Sequence, residues 1–168
     1  MFLTFSAARE AVFEAALDGA GLVEGLVAFR RAALLSARGN SGVILSQMLG
    51  ALSQRIEMST IDEDAAVVVT DAIRLATDAS YAAVAVPVEG TILTVARAAS
   101  DGAEALMREN VGHVTASDVF DAAATAAREA LARTPSQLKV LADAGVVDAG
   151  GRGLCVVSDT LVAAGSSP

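Results

Sequence analysis

The sequence predicts an all-α protein, built as an antiparallel bundle of about seven helices. Hydrophobic residues make up 54% of its 168 residues and aromatic residues only 4%, so the core must consist mainly of Ala, Val and Leu. Abundant alanine favours helix, and the three prolines leave long uninterrupted stretches between them. Apart from residues 67–69, no strand-like alternation persists. This length suits one domain with a sizeable core, which we expect to cover residues 1–168.

Periodic apolar residues place the first two helices. Phe2, Phe5 and Phe13 can share the buried face of a helix over residues 1–17. The Asp-Gly-Ala-Gly sequence that follows breaks this helix, and the next periodic run predicts a second helix over residues 22–36.

A glycine-rich turn separates the second helix from the third. Gly39 and Gly42 bracket Asn40 and Ser41, and a periodic apolar run follows over residues 41–56. Asn and Ser are favoured N-caps, and glycine lets the backbone approach a ligand closely. A helix N-terminus with unpaired N–H groups is a natural phosphate site. An ordinary capped helix after a turn is the alternative interpretation.

The middle of the chain contains two further helices. Thr60 and Glu63 have the spacing of a capping box, which predicts a helix over residues 60–84. Pro87 then stops the helix. The next helical pattern follows at residues 91–107.

Three more segments complete the predicted bundle. Thr115 or Ser117 is expected to cap a helix over residues 118–133. The Thr-Pro-Ser sequence at 134–136 is expected to break it, because proline lacks the N–H that a helix needs. A short helix is predicted over residues 137–143, followed by a last one over residues 154–164.

Three small or polar turns precede helices, at residues 39–42, 89–91 and 148–153. If the helices alternate in direction, these turns can collect at one end of the bundle. A cluster of helix starts would be rich in backbone N–H donors and would suit a polyphosphate. The alternative is that each is simply a connection between two helices.

Composition excludes several classes of protein. A net charge of −8 argues against a nucleic-acid-binding surface. The single cysteine, Cys155, excludes an internal disulfide, and its apolar neighbours predict a buried, inert thiol. No apolar run is long enough to span a membrane, and the first residues lack the features of a signal peptide, so we expect a cytoplasmic protein.

Few side chains are candidates for catalysis. His113 is the only histidine, so neither a Ser-His-Asp triad nor a histidine metal cluster with a second histidine can form, and we expect it to be solvated. Arg38 and Arg152 flank two of the turns, where they could neutralise phosphate or simply be solvated. We therefore assign no catalytic residue and no metal ligand.

Three ordered stretches resemble the signature sequences of one family. They are GNSGVILSQ at residues 39–47, PVEGTILTV at 87–95 and LADAGVVDAGG at 141–151. They are similar to the nucleotide-binding (DhaL) domain of the dihydroxyacetone kinase superfamily, and most of all to the N-terminal domain of bacterial fatty acid kinases. The similarity runs the length of the chain.

The resemblance implies an antiparallel barrel of eight helices that binds ATP or ADP at one end. It places Asn40 and Ser41 near the phosphates and Ile92 beside the base. The residues that it assigns to nucleotide binding are Gly39, Asn40, Ser41, Gly42, Gly90, Thr91, Ile92, Asp148, Ala149 and Gly150.

The chain departs from the family pattern at its start. In the family, a loop of the type Asp-Gly-Asp-Thr-Gly-Thr-Asn precedes the position of Met1 and binds two Mg²⁺ ions. That loop and the helix before it have no counterpart here, so we expect seven of the eight helices, weak binding of Mg·ATP and no turnover. An exposed apolar seam between the first and last helices would favour self-association.

The resemblance implies the ATP-binding domain of a kinase. The phosphoryl acceptor would be a fatty acid carboxylate, presented by an acyl-binding partner protein. One alternative is the nucleotide-binding subunit of a dihydroxyacetone kinase. The other, from a different class, is a non-catalytic helical module that binds nucleotide or protein.

Overall fold

The computed structural model describes residues 1–110 and 112–165, with backbone only for the last two, and it is all-α as predicted. Val111, in the predicted loop before the sixth helix, lies outside the described residues. The described residues form eight helices, one for each of the eight predicted segments, including the short one expected over residues 137–143. The expected total of about seven is therefore one too low. The helices are α1 Phe2–Leu17, α2 Leu22–Ser36, α3 Gly39–Glu57, α4 Ala65–Ala82, α5 Ile92–Glu109, α6 Ala116–Gln137, α7 Lys139–Ala144 and α8 Ala149–Gly165.

The helices form a barrel around an apolar interior. The α1–α2 pair packs on α3, α3 packs on α4, α4 on α5, α5 on α6, and α8 on both α5 and α6. Together they surround a central cavity of about 220 Å³, lined by residues from every helix except α7. Most buried core residues are alanine, leucine, valine or isoleucine, as the composition predicted. No helix in the described part of the chain has both the length and the apolar character needed to cross a membrane.

The expected burial of the α1 phenylalanines is wrong for two of the three. Phe2 is 81% exposed and Phe13 is 68% exposed, whereas Phe5 packs against a small core cluster. The only buried residues of α1 are Thr4 and Ala8. Apolar residues therefore occupy two opposite faces of α1, and periodicity alone could not tell which one packs inward. Self-association through an apolar seam between the first and last helices stays a prediction.

The start of α3 differs from the prediction. The helix begins at Gly39, so Asn40 and Ser41 lie in its first turn and neither is the N-cap. Arg38 occupies that position and makes no side-chain capping bond. Gly39 has φ +64°, a left-handed conformation that turns the chain sharply into the helix. The predicted capping by Asn40 or Ser41 is therefore wrong.

The start of α4 also differs from the prediction. Asp64 is the N-cap and accepts a hydrogen bond from the backbone N–H of Ala66 at 2.8 Å. Glu63 accepts from the N–H of Thr60 at 3.2 Å, but in the turn before the helix. The same carboxylate pairs with Arg55 of α3. The helix therefore begins after the predicted capping box.

Helix α6 runs through the predicted break. Its N-cap is Thr115, one of the two predicted candidates, and the helix continues past Pro135 to Gln137. Proline deprives one carbonyl, that of residue i−4, of its helical partner. This carbonyl belongs to Leu131 and accepts instead from the hydroxyl of Thr134 at 2.8 Å. The break is avoided because the lost bond is replaced within the same turn.

The first turn of α8 corrects another prediction. Residues 150–153 are helical and not a turn. The Asp148 side chain accepts from the N–H of Gly151 at 2.7 Å, and the helix begins at Ala149, five residues earlier than predicted. A Cβ at Gly151 would lie 2.7 Å from Val95 Cγ2, so glycine is required here for close packing of α8 on α5.

The Thr115–Asp118 capping box makes stability depend on pH. The N–H and hydroxyl of Thr115 donate to the Asp118 carboxylate at 2.8 and 2.7 Å, and these bonds lower the pKa of Asp118. A carboxyl with a lowered folded-state pKa adds stability above its unfolded pKa of about 3.9 and loses it as pH falls through the folded-state value. We expect Asp118→Asn to lower the melting temperature at pH 7, by an amount that shrinks steadily from pH 5 to pH 2. Thermal unfolding followed by circular dichroism measures this, and a gap independent of pH would contradict it.

Candidate functional site

A cavity of about 580 Å³, here called the terminal cavity, lies where α3, α5 and α8 begin. Its lining includes Asn40 and Ser41 from the first predicted turn, Thr91 from the second and Asp148 from the third. The three turns therefore do collect at one end of the bundle. The lining residues are Asn40, Ser41, Val43, Ile44, Ala83, Val84, Ala85, Val86, Val88, Thr91, Ile92, Leu93 and Asp148.

Gly150 marks the point where the three helix starts meet. A Cβ built on it would lie 3.3 Å from Ser41 Oγ, 3.3 Å from Ile92 Cβ and 3.1 Å from Asp148 Oδ2. These atoms belong to α3, α5 and the N-cap of α8. A larger side chain would push the three starts apart, so glycine keeps the terminal cavity compact.

Part of the lining of the terminal cavity is polar. It carries the side chains of Asn40, Ser41, Thr91 and Asp148. Thr91 caps α5: its side-chain oxygen accepts from the N–H of Leu93 at 3.4 Å, and its hydroxyl donates to the carbonyl of Val88 at 2.7 Å. The helix starts beside these side chains have N–H groups without intrahelical partners and the positive ends of helix dipoles. These helix starts can therefore bind an anion through backbone donors and hydroxyls.

The rest of the lining, here called the apolar wall, consists of Val43 and Ile44 of α3, Ile92 and Leu93 of α5, and residues 83–86 and 88. Val86 is 75% exposed. A lining that combines polar helix starts with apolar side chains suits a ligand with a flat ring at one end and a charged group at the other.

The five remaining residues assigned by resemblance shape the backbone but do not line the terminal cavity. Gly39 and Ala149 are exposed, and Gly150 is buried at the junction described above. Gly42 is buried, and its Cβ position lies 3.2 Å from Thr4 Oγ1 of α1. Gly90 has φ +80°, and its Cβ position lies 2.9 Å from Leu138 Cβ.

Sequence reasoning missed the contacts that hold the segment between α4 and α5. Glu89 accepts hydrogen bonds from the hydroxyls of Thr94 and Tyr81, and the Thr94 oxygen accepts from the N–H of Gly90 at 2.9 Å. The Arg97 guanidinium lies 4.1 Å from the centre of the Tyr81 ring. Burial, followed by the charge of Glu89, raises the pKa of Tyr81. The apolar residues on both sides of Pro87 were the available signal in the sequence that this segment lines a cavity.

The two flanking arginines do not line the terminal cavity. The Arg38 guanidinium donates to the carbonyls of Leu35 and Ala37 at 3.1 and 2.7 Å, and so satisfies the end of α2. Arg152 is exposed. Backbone donors are therefore better placed than either arginine to meet an anion.

The described residues do not fit a Mg²⁺ ion at this site. Mg²⁺ requires several oxygen ligands in near-octahedral arrangement. Within residues 1–110 and 112–165, no three His, Cys, Asp or Glu side chains are grouped to hold a metal ion. Asp148 is the one carboxylate of the cavity lining.

The two other side chains considered for chemistry lie elsewhere. His113 is exposed near the start of α6, as predicted. Cys155 is 5% exposed, and burial raises the pKa of its thiol. A protonated, buried thiol is a poor nucleophile, which agrees with the prediction of an inert cysteine.

Comparisons with known proteins agree with this architecture. The family model of the DAK2 domain matches residues 1–163. Protein YloV of Bacillus subtilis is 43% identical over 136 residues, which is 81% of this chain and 24% of that protein. An uncharacterized protein of Staphylococcus saprophyticus is 39% identical over 160 residues, covering 94% of this chain and 27% of its own length. The chain thus spans about a quarter of the length of these curated relatives. It belongs to the DAK2 domain family of kinase-associated, nucleotide-binding domains.

Proposed function

We propose that this chain is the ATP-binding domain of a kinase and that the terminal cavity holds the nucleotide. One observation carries the proposal: three helix starts line a single cavity whose lining combines polar and apolar side chains. A nucleotide likewise combines the two, with phosphates at one end and a base at the other. Its phosphates would meet the starts of α3, α5 and α8, and its base would lie against Ile92 and the apolar wall.

The residues assigned by resemblance take two roles in this arrangement. Asn40, Ser41, Thr91 and Asp148 present polar groups to the ligand, with Asp148 placed to accept from a ligand hydroxyl. Gly42, Gly90 and Gly150 let the chain pack closely around the site, because their Cβ positions lie against Thr4, Leu138 and Asp148. Gly39, with its positive φ, and Ala149 begin α3 and α8.

The phosphoryl acceptor is proposed from the resemblance to fatty acid kinases. It is a fatty acid carboxylate held by a separate acyl-binding protein. Dihydroxyacetone held by another subunit is the alternative acceptor. Phosphoryl transfer depends on positioning and on neutralising phosphate charge with metal ions. The resemblance assigns those metal ligands to an aspartate-rich loop that precedes the position of Met1.

The location of Met1 supports this assignment. Its Sδ lies 3.0 Å from the Cβ position of Gly153, in the second turn of α8. A segment joined to Met1 would therefore run close to the end of the barrel where the terminal cavity lies. Such a segment could bring a group of carboxylates, which residues 1–110 and 112–165 do not contain.

Calorimetry with ATP, with and without Mg²⁺, tests the proposal. We expect weak binding to this chain, and tighter Mg²⁺-dependent binding to a chain extended by an Asp-Gly-Asp-Thr-Gly-Thr-Asn segment. A kinase assay on this chain alone should show no turnover. Full turnover by this chain would contradict the expected dependence on the loop. Absence of binding by both chains would overturn the nucleotide site and favour a non-catalytic helical module.

A further inference from the structure

We infer that Thr134 is a positioning residue of the nucleotide site, which it serves by fixing Asp148. The inference rests on the proposed function, since it concerns the same cavity. Thr134 lies near the end of α6, is fully buried, and does not itself line the terminal cavity.

The hydroxyl of Thr134 makes two hydrogen bonds, one as donor and one as acceptor. It donates its single proton to the carbonyl of Leu131 at 2.8 Å. It accepts from the backbone N–H of Asp148 at 3.1 Å, across fourteen residues of sequence. Because the proton is committed to Leu131, a lone pair of the oxygen is directed towards Asp148.

Pro135 is the reason that this arrangement is available. In an uninterrupted helix, the N–H of residue 135 would compete for the Leu131 carbonyl. Proline has no N–H, so the carbonyl takes the Thr134 proton as its replacement partner. The Thr-Pro pair thus works as an anchor for the start of α8.

Asp148 connects the hydrogen bond from Thr134 to the terminal cavity. Its Oδ2 accepts from the N–H of Gly151 at 2.7 Å, and its carbonyl accepts from the N–H of Arg152 at 2.9 Å. The N–H of Asp148 is therefore held by α6 while its side chain and carbonyl begin α8. Loss of the Thr134 bond would let the Asp148 backbone shift at the point where it enters the cavity.

Three variants separate positioning from general stability. Thr134→Val keeps the shape and removes both hydrogen bonds, whereas Thr134→Ser keeps the hydroxyl. Thr77→Val is the matched control: Thr77 is also a buried helical threonine with two hydrogen bonds to carbonyls, at 3.0 and 3.1 Å. Thr77 lines the central cavity and not the terminal one.

The experiment is a titration of the wild-type chain and of each variant with ADP. Binding is detected by two-dimensional NMR of the backbone amides, at a temperature where all variants are folded. We expect Thr134→Val to weaken ADP binding about ten-fold and to accelerate hydrogen exchange of the Asp148 amide. Thr134→Ser should bind within three-fold of wild type. Thr77→Val should lower the melting temperature but leave the affinity unchanged.

Two results would overturn the inference: wild-type affinity in Thr134→Val, or an equal loss of affinity in Thr77→Val. If neither the wild-type chain nor the chain extended by the aspartate-rich segment binds ADP, the proposed function fails as well. The exchange rate of the Asp148 amide then shows separately whether Thr134 anchors α8.

Discussion

Replacing Gly90 with alanine is expected to lower the free energy of unfolding by about 3 kcal/mol. Two costs combine at this position. Gly90 has φ +80°, which strains any residue with a Cβ, and the new Cβ would lie 2.9 Å from Leu138 Cβ and 3.2 Å from the Leu138 backbone nitrogen. Backbone atoms cannot swing aside as a flexible side chain would. Urea unfolding followed by far-UV circular dichroism measures the change.

Gly145→Ala is the control for backbone strain alone. Gly145 has φ +64°, and nothing lies within 4 Å of its Cβ position. We therefore expect this variant to lose only about 1 kcal/mol. The difference between the two losses in free energy of unfolding gives the cost of the close contact between the segment before α5 and the end of α6. Equal losses would show that this contact relaxes without cost.

Changing Asn40 to aspartate is expected to move stability and nucleotide binding in opposite directions. Asn40 is exposed in the first turn of α3, where a negative charge interacts favourably with the helix dipole, by about 0.5 kcal/mol. The same charge would repel the phosphates of a bound nucleotide and weaken binding at least about ten-fold. Thermal unfolding and ATP calorimetry, at low and high salt, measure the two effects. The loss of affinity should diminish as salt screens the repulsion.

Asn110→Asp makes the same chemical change at the C-terminal end of a different helix, α5. The Asn110 amide donates to the carbonyl of Leu106 at 2.9 Å, next to the negative end of the helix dipole. This variant should lose stability and keep its nucleotide affinity. Wild-type affinity in Asn40→Asp would remove Asn40 from the phosphate site. If Asn40→Asp raises the melting temperature while it weakens nucleotide binding, unfolding is excluded as the cause of the lost binding.

The structure agrees most closely with the sequence where the signals are local. Residues 22–36 form α2 with the predicted bounds, because a glycine-containing break and a periodic run define it. Thr115 caps α6 through atoms three residues apart, which the sequence shows directly. Such features depend on propensity and capping, and their partners are neighbours in the chain.

The candidate site could be predicted only in outline. The three turns were identifiable from glycine and polar residues, but their meeting point depends on contacts between Gly150, Ser41 and Ile92, which are far apart in sequence. The apolar wall at 83–88 was not assigned, because a valine-rich loop has no motif that connects it to the turns.

The sequence by itself determined the helical class, most helix positions and, through three motifs, the family. Tertiary structure alone decided that residues 150–153 are helical, that Pro135 does not end α6, and that Phe2 and Phe13 face outward. The physical reason is that these outcomes depend on partners distant in sequence. Glycine in α8 is favoured by close packing on α5, and Thr134 joins two helices through a hydrogen bond that no local pattern contains.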